Sequence, residues 1–167
     1  KHTIEEYLQI YEKLKKINSN IEFSSDFIIG YPNENDDDFN YTMDLIEKVR
    51  FINSYSFIFS PRPGTVAADL ELVDKKKSKE RLEKIQKKLS KNQIDKNKNL
   101  EGKILNVLVE NKMKDGIKLF GRTEYMTSVV FDGDSECIGK IVQVEIIRSN
   151  QNSLFGMLKK NYKKKVA

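Results

Sequence analysis

An apolar run that ends in glycine and proline is the feature that most constrains the fold of this chain. The segment Asp26–Pro32 joins β-favouring side chains to two residues that stop a strand. Asn35 then stands as an N-cap before the three aspartates Asp36–Asp38, which suit the positive end of a helix. Apolar residues recur at helical spacing as far as Val49. The pattern predicts a largely buried strand, extended backwards to Glu22, then a loop and an amphipathic helix.

The segments on either side extend this pattern into an α/β repeat. An amphipathic helix is predicted from Thr3 to Asn18, with Thr3 and Glu6 forming a capping box. A second buried strand is predicted at Ser54–Phe59, and a helix between two such strands indicates a parallel crossover. Ligands of such units lie at the carboxyl ends of the strands. Any cofactor is therefore expected beside Gly30–Glu34 and Ser60–Thr65.

The second half of the chain changes its period from helical to two. A long helix is predicted from Ser78 to about Asn99, with a narrow apolar stripe and with lysines and Arg81 on the rest of its surface. The narrow stripe indicates a helix that connects two bodies. Alternating side chains then predict a small antiparallel β-barrel of about five short strands. These strands are expected at Ile104–Glu110, Lys118–Arg122, Thr127–Phe131, Val142–Ile146 and Ser153–Leu158.

Charge is segregated along the 167 residues, although the net value is only +5. Residues 1–74 carry 7 basic and 14 acidic side chains, whereas residues 75–103 carry 12 and 4. The barrel segment 104–156 is nearly neutral, and residues 157–167 hold 5 basic side chains and no acidic one. This arrangement predicts a polyanion partner, with a solvated lysine-rich surface as the alternative.

Several classes of site and location are disfavoured by composition. The single cysteine, Cys137, has no nearby Cys or His and fits a small packing residue in a reducing compartment. No apolar run approaches the roughly 18 residues of a membrane span. In the loop Ser60–Thr65, Arg62 is the only cation and would face an anionic group at the strand ends; a salt bridge to a neighbouring aspartate is the alternative. We expect no metal site and no complete catalytic constellation.

The order of several motifs resembles one enzyme family. Ser25–Pro32 with Asp38-Phe39 is similar to the D-x-I-V-G-F-P-G-E-T…D-F segment of the radical S-adenosylmethionine methylthiotransferases, and Ser56–Thr65 to their Y-S-x-R-P-G-T-x-A segment. Further matches to their linker helix and C-terminal TRAM domain occur at Arg81-Leu82, Val107–Glu110, Gly121–Glu124 and Ser153–Gly156. The MiaB-type branch, which acts on isopentenylated adenosine of tRNA, is the nearest likeness.

The resemblance implies the C-terminal strands and helices of an incomplete TIM-like barrel (residues 1–77), followed by a basic linker helix (78–99). It then implies a TRAM β-barrel of OB-like form (100–158) and a lysine-rich tail (159–167). The missing N-terminal domains of the same chain would carry the ligands of two 4Fe–4S clusters. Two departures stand out: Asn33 replaces the usual Gly, and Tyr125-Met126 replace a frequent Asn-Asn.

The resemblance also implies a function and a set of site residues. The parent enzyme would methylthiolate C2 of N6-isopentenyladenosine beside the anticodon, using S-adenosylmethionine for radical formation and for the methyl group. The alternatives are the branch acting on threonylcarbamoyl-adenosine and a non-catalytic RNA-binding module. The enzyme is expected to be a cytoplasmic monomer that binds a tRNA anticodon stem-loop. The predicted cofactor-binding residues are Ile28, Ile29, Gly30, Tyr31 and Arg62, and the predicted RNA-binding residues are Arg122, Thr123, Tyr125, Lys84, Lys88, Lys159 and Lys160.

Overall fold

A computed structural model describes residues 3–114 and 116–159, so Lys160 and the tail beyond it lie outside the described residues. The chain divides into two compact units, Lys1–Asn92 and Gln93–Ala167. The first unit contains α1 (Ile4–Ile17), β1 (Asp26–Ile29), α2 (Asp36–Val49), β2 (Tyr55–Ile58) and most of α3 (Lys75–Lys98). The second contains the strands β3 (Ile104–Lys112), β4 (Lys118–Thr123), β5 (Ser128–Asp132), β6 (Ile141–Ser149) and β7 (Ser153–Leu158).

The N-termini of α1 and α2 are fixed by the local contacts that the sequence predicts. Thr3 and Glu6 form a capping box at α1, with each side chain accepting a hydrogen bond from the other residue's backbone N–H. Asn35 and Asp38 do the same at α2, both at 3.0 Å. These pairs satisfy backbone donors that have no partner inside the helix. Both predicted helix starts are confirmed.

Strands β1 and β2 are parallel, as the crossover pattern predicts, but only β1 has buried side chains, and only on one face. Phe27 and Ile29 point into an apolar core with α2 and α3, whereas Ile28 is 58% exposed. On β2, Tyr55 and Phe57 are exposed as well. The prediction of two largely buried strands is therefore wrong for one face of β1 and for all of β2, because the apolar core takes side chains from β1 and none from β2. The backbone of residues 22–25 precedes β1 without joining the strand.

The helix α3 begins three residues before the predicted Ser78, because Asp74 accepts a hydrogen bond from the Lys77 backbone N–H at 2.9 Å. One face of α3 packs on the first unit and consists of the buried residues Ser78, Arg81, Ile85, Leu89 and Asn92. The sequence pattern placed Arg81 on the solvated face. That assignment is wrong, since only 3% of Arg81 is exposed.

The five strands of the second unit close into a barrel in the order β3-β4-β5-β7-β6. Four of the five pairings are antiparallel, which confirms the predicted small antiparallel barrel, and β5 and β7 alone pair in parallel. Because five strands cannot alternate in direction all the way around a closed barrel, at least one pairing must be parallel, and here it is the pairing of β5 with β7. The barrel leaves no unpaired edge among these strands.

The interior of the barrel is filled by apolar side chains that alternate along every strand. Close strand contact also requires glycine: a Cβ on Gly156 would collide with the Glu145 backbone carbonyl. Leu100, which follows α3, completes the core. The buried cluster is formed by Leu100, Val107, Val109, Leu119, Val129, Phe131, Val142, Val144, Ile146 and Leu154.

Candidate functional site

The loop after β1 turns on a glycine that no other residue could replace without strain. Gly30 has a φ of +70°, and a Cβ there would collide with the buried Ser78 side chain. The Gly30 N–H donates to Glu34 Oε2 at 2.8 Å, so the loop is closed by its own carboxylate. Asn33 also has a positive φ, of 67°. Asparagine tolerates this region better than most residues, so its replacement of glycine preserves the turn.

A buried arginine holds the same loop from the α3 side. Arg81 Nη1 donates to Glu34 Oε1 at 2.7 Å and to the Glu34 carbonyl at 3.0 Å, while Nη2 donates to Asp36 Oδ1 at 2.7 Å. Its guanidinium carbon lies 5.3 Å from the centre of the Phe39 ring. Two carboxylates and an aromatic face therefore compensate the desolvated charge.

The electrostatics of this cluster change the titration of one carboxyl group. Hydrogen bonds from Arg81 first, and then from Lys77, hold the pKa of Asp36 below its ordinary value. Lys77 Nζ lies 3.0 Å from Asp36 Oδ2. Asp36 is thus held in its charged form at the N-terminus of α2, where the helix dipole also favours negative charge.

The predicted cofactor residues divide between the surface and the core. Ile28 and Tyr31 face outward, and the Tyr31 ring meets the Phe59 ring edge-on with centroids 5.0 Å apart. Gly30 lies between them on the loop. Ile29 instead is buried in the core, and its carbonyl accepts from the Phe59 N–H at 2.8 Å.

Arg62 lies in the loop after β2 with an exposed side chain. Its backbone carbonyl accepts from the Thr65 hydroxyl at 2.8 Å and from the Thr65 N–H at 3.2 Å, and Gly64 completes the turn at a φ of +80°. Within residues 3–114 and 116–159, the Arg62 guanidinium makes no ion pair. The alternative, a salt bridge from Arg62 to a neighbouring aspartate, is therefore not formed within these residues. The charge stays available at the end of β2.

Three predicted RNA-binding residues come together in the turn between β4 and β5. Arg122 lies at the surface, with its Nε 3.2 Å from Glu110 Oε1 and its Nη1 3.2 Å from the Met126 carbonyl. Thr123 is buried, and its hydroxyl accepts from the backbone N–H groups of Tyr125 and Thr127, at 3.2 and 3.3 Å. Thr123 thus shapes the turn, whereas Arg122 can reach a ligand.

Tyr125 and the predicted lysines Lys84, Lys88 and Lys159 each have a protein contact in the structure, whereas Lys160 lies outside the described residues. Lys96 Nζ lies 4.9 Å from the centre of the Tyr125 ring. In the first unit, Lys84 Nζ lies 6.0 Å from the Phe39 ring centre, and Lys88 forms an ion pair with Glu47. In the second unit, Lys159 Nζ lies 3.3 Å from Glu145 Oε2. Exposed pairs of this kind are weak and exchange readily with solvent, so they leave the lysines able to bind phosphate.

The residues that the structure describes also set limits on other kinds of site. No group of three or more His, Cys, Asp or Glu side chains is placed to hold a metal ion within residues 3–114 and 116–159. In the same ranges, no helix has the length and apolarity that crossing a membrane requires. Cys137 is a free thiol packed against the barrel core.

The contacts of Arg81 are the part of the site that sequence reasoning missed. Its partner Glu34 lies 47 residues earlier, and no local pattern joins the two. One signal was present: Arg81 occupies the position four residues before Ile85, on the apolar stripe of α3. A charged residue on a buried stripe requires a partner, and the acidic residues after β1 were the available ones.

Comparison with known proteins identifies both units. Residues 98–159 match the TRAM domain family. Over its whole length the chain is 79% identical to the tRNA-2-methylthio-N(6)-dimethylallyladenosine synthase of Pelagibacter ubique (strain HTCC1062). The chain matches one part of a tRNA methylthiotransferase. It is also 43% identical, over 93% of its length, to the synthase of the same name from Wolbachia pipientis wMel, and 46% over 94% to that of Ruthia magnifica subsp. Calyptogena magnifica.

The chain spans about a third of the length of these methylthiotransferases: 37% of the Pelagibacter protein and 36% of the other two. The TRAM match coincides with the closed β-barrel and begins at Lys98, the last residue of α3. The family expected from the motifs is therefore confirmed, as is the α/β unit followed by a small barrel.

Proposed function

We propose that this chain is part of an enzyme that methylthiolates C2 of N6-isopentenyladenosine next to the anticodon of tRNA. The observation that carries the proposal is the 79% identity, over all 167 residues, to a synthase whose name states this modification. The fold agrees with a division of labour between an α/β unit that faces a cofactor and a TRAM barrel that holds RNA. The proposal places the enzyme in the cytoplasm as a monomer acting on the anticodon stem-loop.

The α/β unit offers a surface that fits S-adenosylmethionine. Ile28 and Tyr31 supply exposed apolar area for the adenosyl group, and Gly30 gives the loop that carries Tyr31 its tight turn. Arg62 is the available cation for the carboxylate of the methionine part. When bound, S-adenosylmethionine supplies radical chemistry and the transferred methyl group; the chain's residues position it and exclude water.

Arg81 and Glu34 act on this surface through the backbone. Glu34 accepts from the Gly30 N–H while it is paired with Arg81, so α3 fixes the loop that carries Tyr31. We propose that this pair keeps the loop in the conformation that receives the cofactor.

Iron–sulfur clusters do not fit the residues of this chain. A 4Fe–4S cluster is held by cysteine thiolates, usually four, and the sequence contains only Cys137, which packs against the TRAM core. Under the proposal, the ligands of both clusters belong to other parts of the parent enzyme. The purified chain, incubated with ferrous iron and sulfide, should therefore stay colourless; a stable brown species would contradict this assignment.

The experiment that tests the proposed function uses a chimaera. This chain replaces the matching segment of the Pelagibacter synthase, and the chimaera is expressed in a bacterial strain without its own synthase. Nucleosides from total tRNA are then analysed by mass spectrometry. We expect the methylthiolated isopentenyladenosine to return.

Two controls give the result its meaning. The unmodified Pelagibacter synthase sets full recovery, and a chimaera with Gly30→Val should restore little, because the Cβ collides with Ser78 at a positive φ. Soluble chimaera with iron–sulfur absorbance but only unmodified isopentenyladenosine would overturn the proposal. Methylthiolation of threonylcarbamoyl-adenosine instead would move the chain to the other branch.

A further inference from the structure

One outer face of the TRAM barrel carries aromatic and cationic side chains in a single row. The strand registers place Phe120 opposite Val130, Val130 opposite Phe155, and Phe155 opposite Arg148, across β4, β5, β7 and β6. Their neighbours along each strand, such as Leu119 and Leu154, point into the core. Because side chains alternate along a strand, the row faces outward.

Both rings in this row lie beneath a guanidinium group. The guanidinium carbon of Arg148 is 3.8 Å from the centre of the Phe155 ring, and that of Arg122 is 5.5 Å from the centre of Phe120. Arginine stacked in this way keeps its planar face and its N–H edge directed away from the ring. The barrel surface thus presents two planar cations on two apolar rings.

A groove of about 200 Å³ lies beside the Arg148–Phe155 pair. A β-bulge between Ile146 and Arg148 turns Ile147 to the surface, where it is 51% exposed, and Met157 is exposed on the neighbouring strand. Bulges commonly redirect side chains at binding sites. Lys118 and Asp132, opposite each other on β4 and β5, complete the rim with one charge of each sign.

We propose that this face is a stacking platform for unpaired nucleobases of the bound RNA, with the groove at Phe155 and Arg148 as its central site. The inference rests on the proposed function and extends it to a defined surface. A nucleobase is flat and apolar on its faces, so it stacks on an arginine plane or an aromatic ring, and single-stranded RNA binds proteins in this way. The N–H edge of Arg148 then faces the phosphates.

The face suits RNA better than an apolar peptide because of its charge. The row and its two flanking positions hold three cations, Lys118, Arg122 and Arg148, while the nearby carboxylates are Asp132, opposite Lys118, and Glu110, which is paired with Arg122. A protein that docked through apolar contact alone would desolvate the exposed Arg148 guanidinium without supplying an anion to it. A phosphodiester chain supplies that compensation along its length.

The test measures stacking directly, with the full chain and a short single-stranded RNA that contains 2-aminopurine. Stacking quenches the fluorescence of this base, so its value at saturation reports ring contact separately from affinity. Phe155→Leu keeps the apolar volume but removes the ring, and we expect roughly tenfold weaker binding and loss of the quenching. Arg148→Lys keeps the charge but loses the plane, and should weaken binding by about threefold.

Matched variants separate stacking from charge and from folding. Phe155→Tyr restores a ring and should quench as the unchanged chain does. Lys140→Met removes an exposed cation away from the row and should lower affinity slightly while leaving the saturated quenching intact. Far-ultraviolet circular dichroism of each variant should match that of the unchanged chain.

The remaining outcomes distinguish this inference from the proposed function. If the unchanged chain binds the RNA with an affinity that falls as salt rises, but Phe155→Leu binds equally well, the stacking platform is contradicted while the proposed RNA binding is supported. If the unchanged chain binds no RNA at low salt, both are wrong. If Phe155→Leu alters only the association of the chain with itself in sedimentation, the face joins protein copies and the platform is overturned.

Discussion

The two units reach stability by different means. The TRAM barrel closes its sheet, so each strand has two neighbours and its inward residues form one buried cluster. In the first unit, helices pack on one face of the two-stranded sheet, and Ile28, Tyr55 and Phe57 are exposed. The loop after β1 is held instead by the buried Arg81 and its ion pairs with Glu34 and Asp36. The barrel is thus stabilised by apolar packing, whereas the loop of the α/β unit depends on a few polar contacts.

The largest effect is expected from a cavity in the barrel. Leu154 is fully buried, so Leu154→Ala should cost about 2–5 kcal/mol of unfolding free energy in the second unit. Ile28→Ala, at an exposed apolar position of the first unit, should change stability by less than about 0.5 kcal/mol. Hydrogen–deuterium exchange with mass spectrometry follows the units separately. If Leu154→Ala accelerates exchange in α1 as much as in the barrel, the units unfold as one body.

The next effect concerns the ion pairs that hold the loop. Arg81→Met leaves the Glu34 carboxylate buried without its cation, and should destabilise the first unit by about 3 kcal/mol. Lys84→Met removes the same charge from an exposed position on the same helix and serves as the control. Adding Glu34→Gln to Arg81→Met should recover part of the loss. If Arg81→Met and Lys84→Met had equal effects on hydrogen exchange in residues 26–36, Arg81 would act only through its net charge.

Acid should act on the first unit through Asp36. Since its pKa is lower when folded than its ordinary value near 3.9, Asp36 contributes stability that is present above that value and is lost as the pH falls through the lowered one. Asp36→Asn should therefore destabilise the first unit at neutral pH, and the difference should vanish in strong acid. Urea unfolding at a series of pH values measures this. If the difference in stability between Asp36→Asn and the unchanged chain did not vary with pH, the Asp36 carboxylate would not be its cause.

A smaller gain is expected in the turn of the barrel. Met126 has a φ of +60°, a left-handed conformation that costs most side chains about 1–2 kcal/mol. Asparagine, which the family often has there, tolerates this region, so Met126→Asn should stabilise the barrel by about 0.5–1 kcal/mol. Met113→Asn, at an ordinary φ, should give no gain. Urea midpoints of the two variants test this, and equal shifts would contradict a backbone effect.

The sequence allowed the local features of both units to be predicted, but not the contacts between distant segments. Both capping boxes were predictable because Thr3 and Asn35 find their partners within three residues. The burial of Arg81 was not, because its partners lie on a loop more than forty residues away. The exposure of Ile28 depends on what covers the second face of the sheet, which alternation alone cannot specify. The parallel pairing of β5 with β7 likewise depends on closure of the whole barrel.

The central claim is that the barrel holds RNA while the α/β unit carries the cofactor surface. Hydrogen exchange of the chain with and without anticodon stem-loop RNA, repeated over a range of salt concentrations, tests it most directly. We predict protection in β4, β5 and β7, and an affinity that falls with salt at a log–log slope of roughly −0.7 to −0.9 per phosphate contact. Protection confined to residues 26–65, or binding that does not change with salt, would contradict the claim.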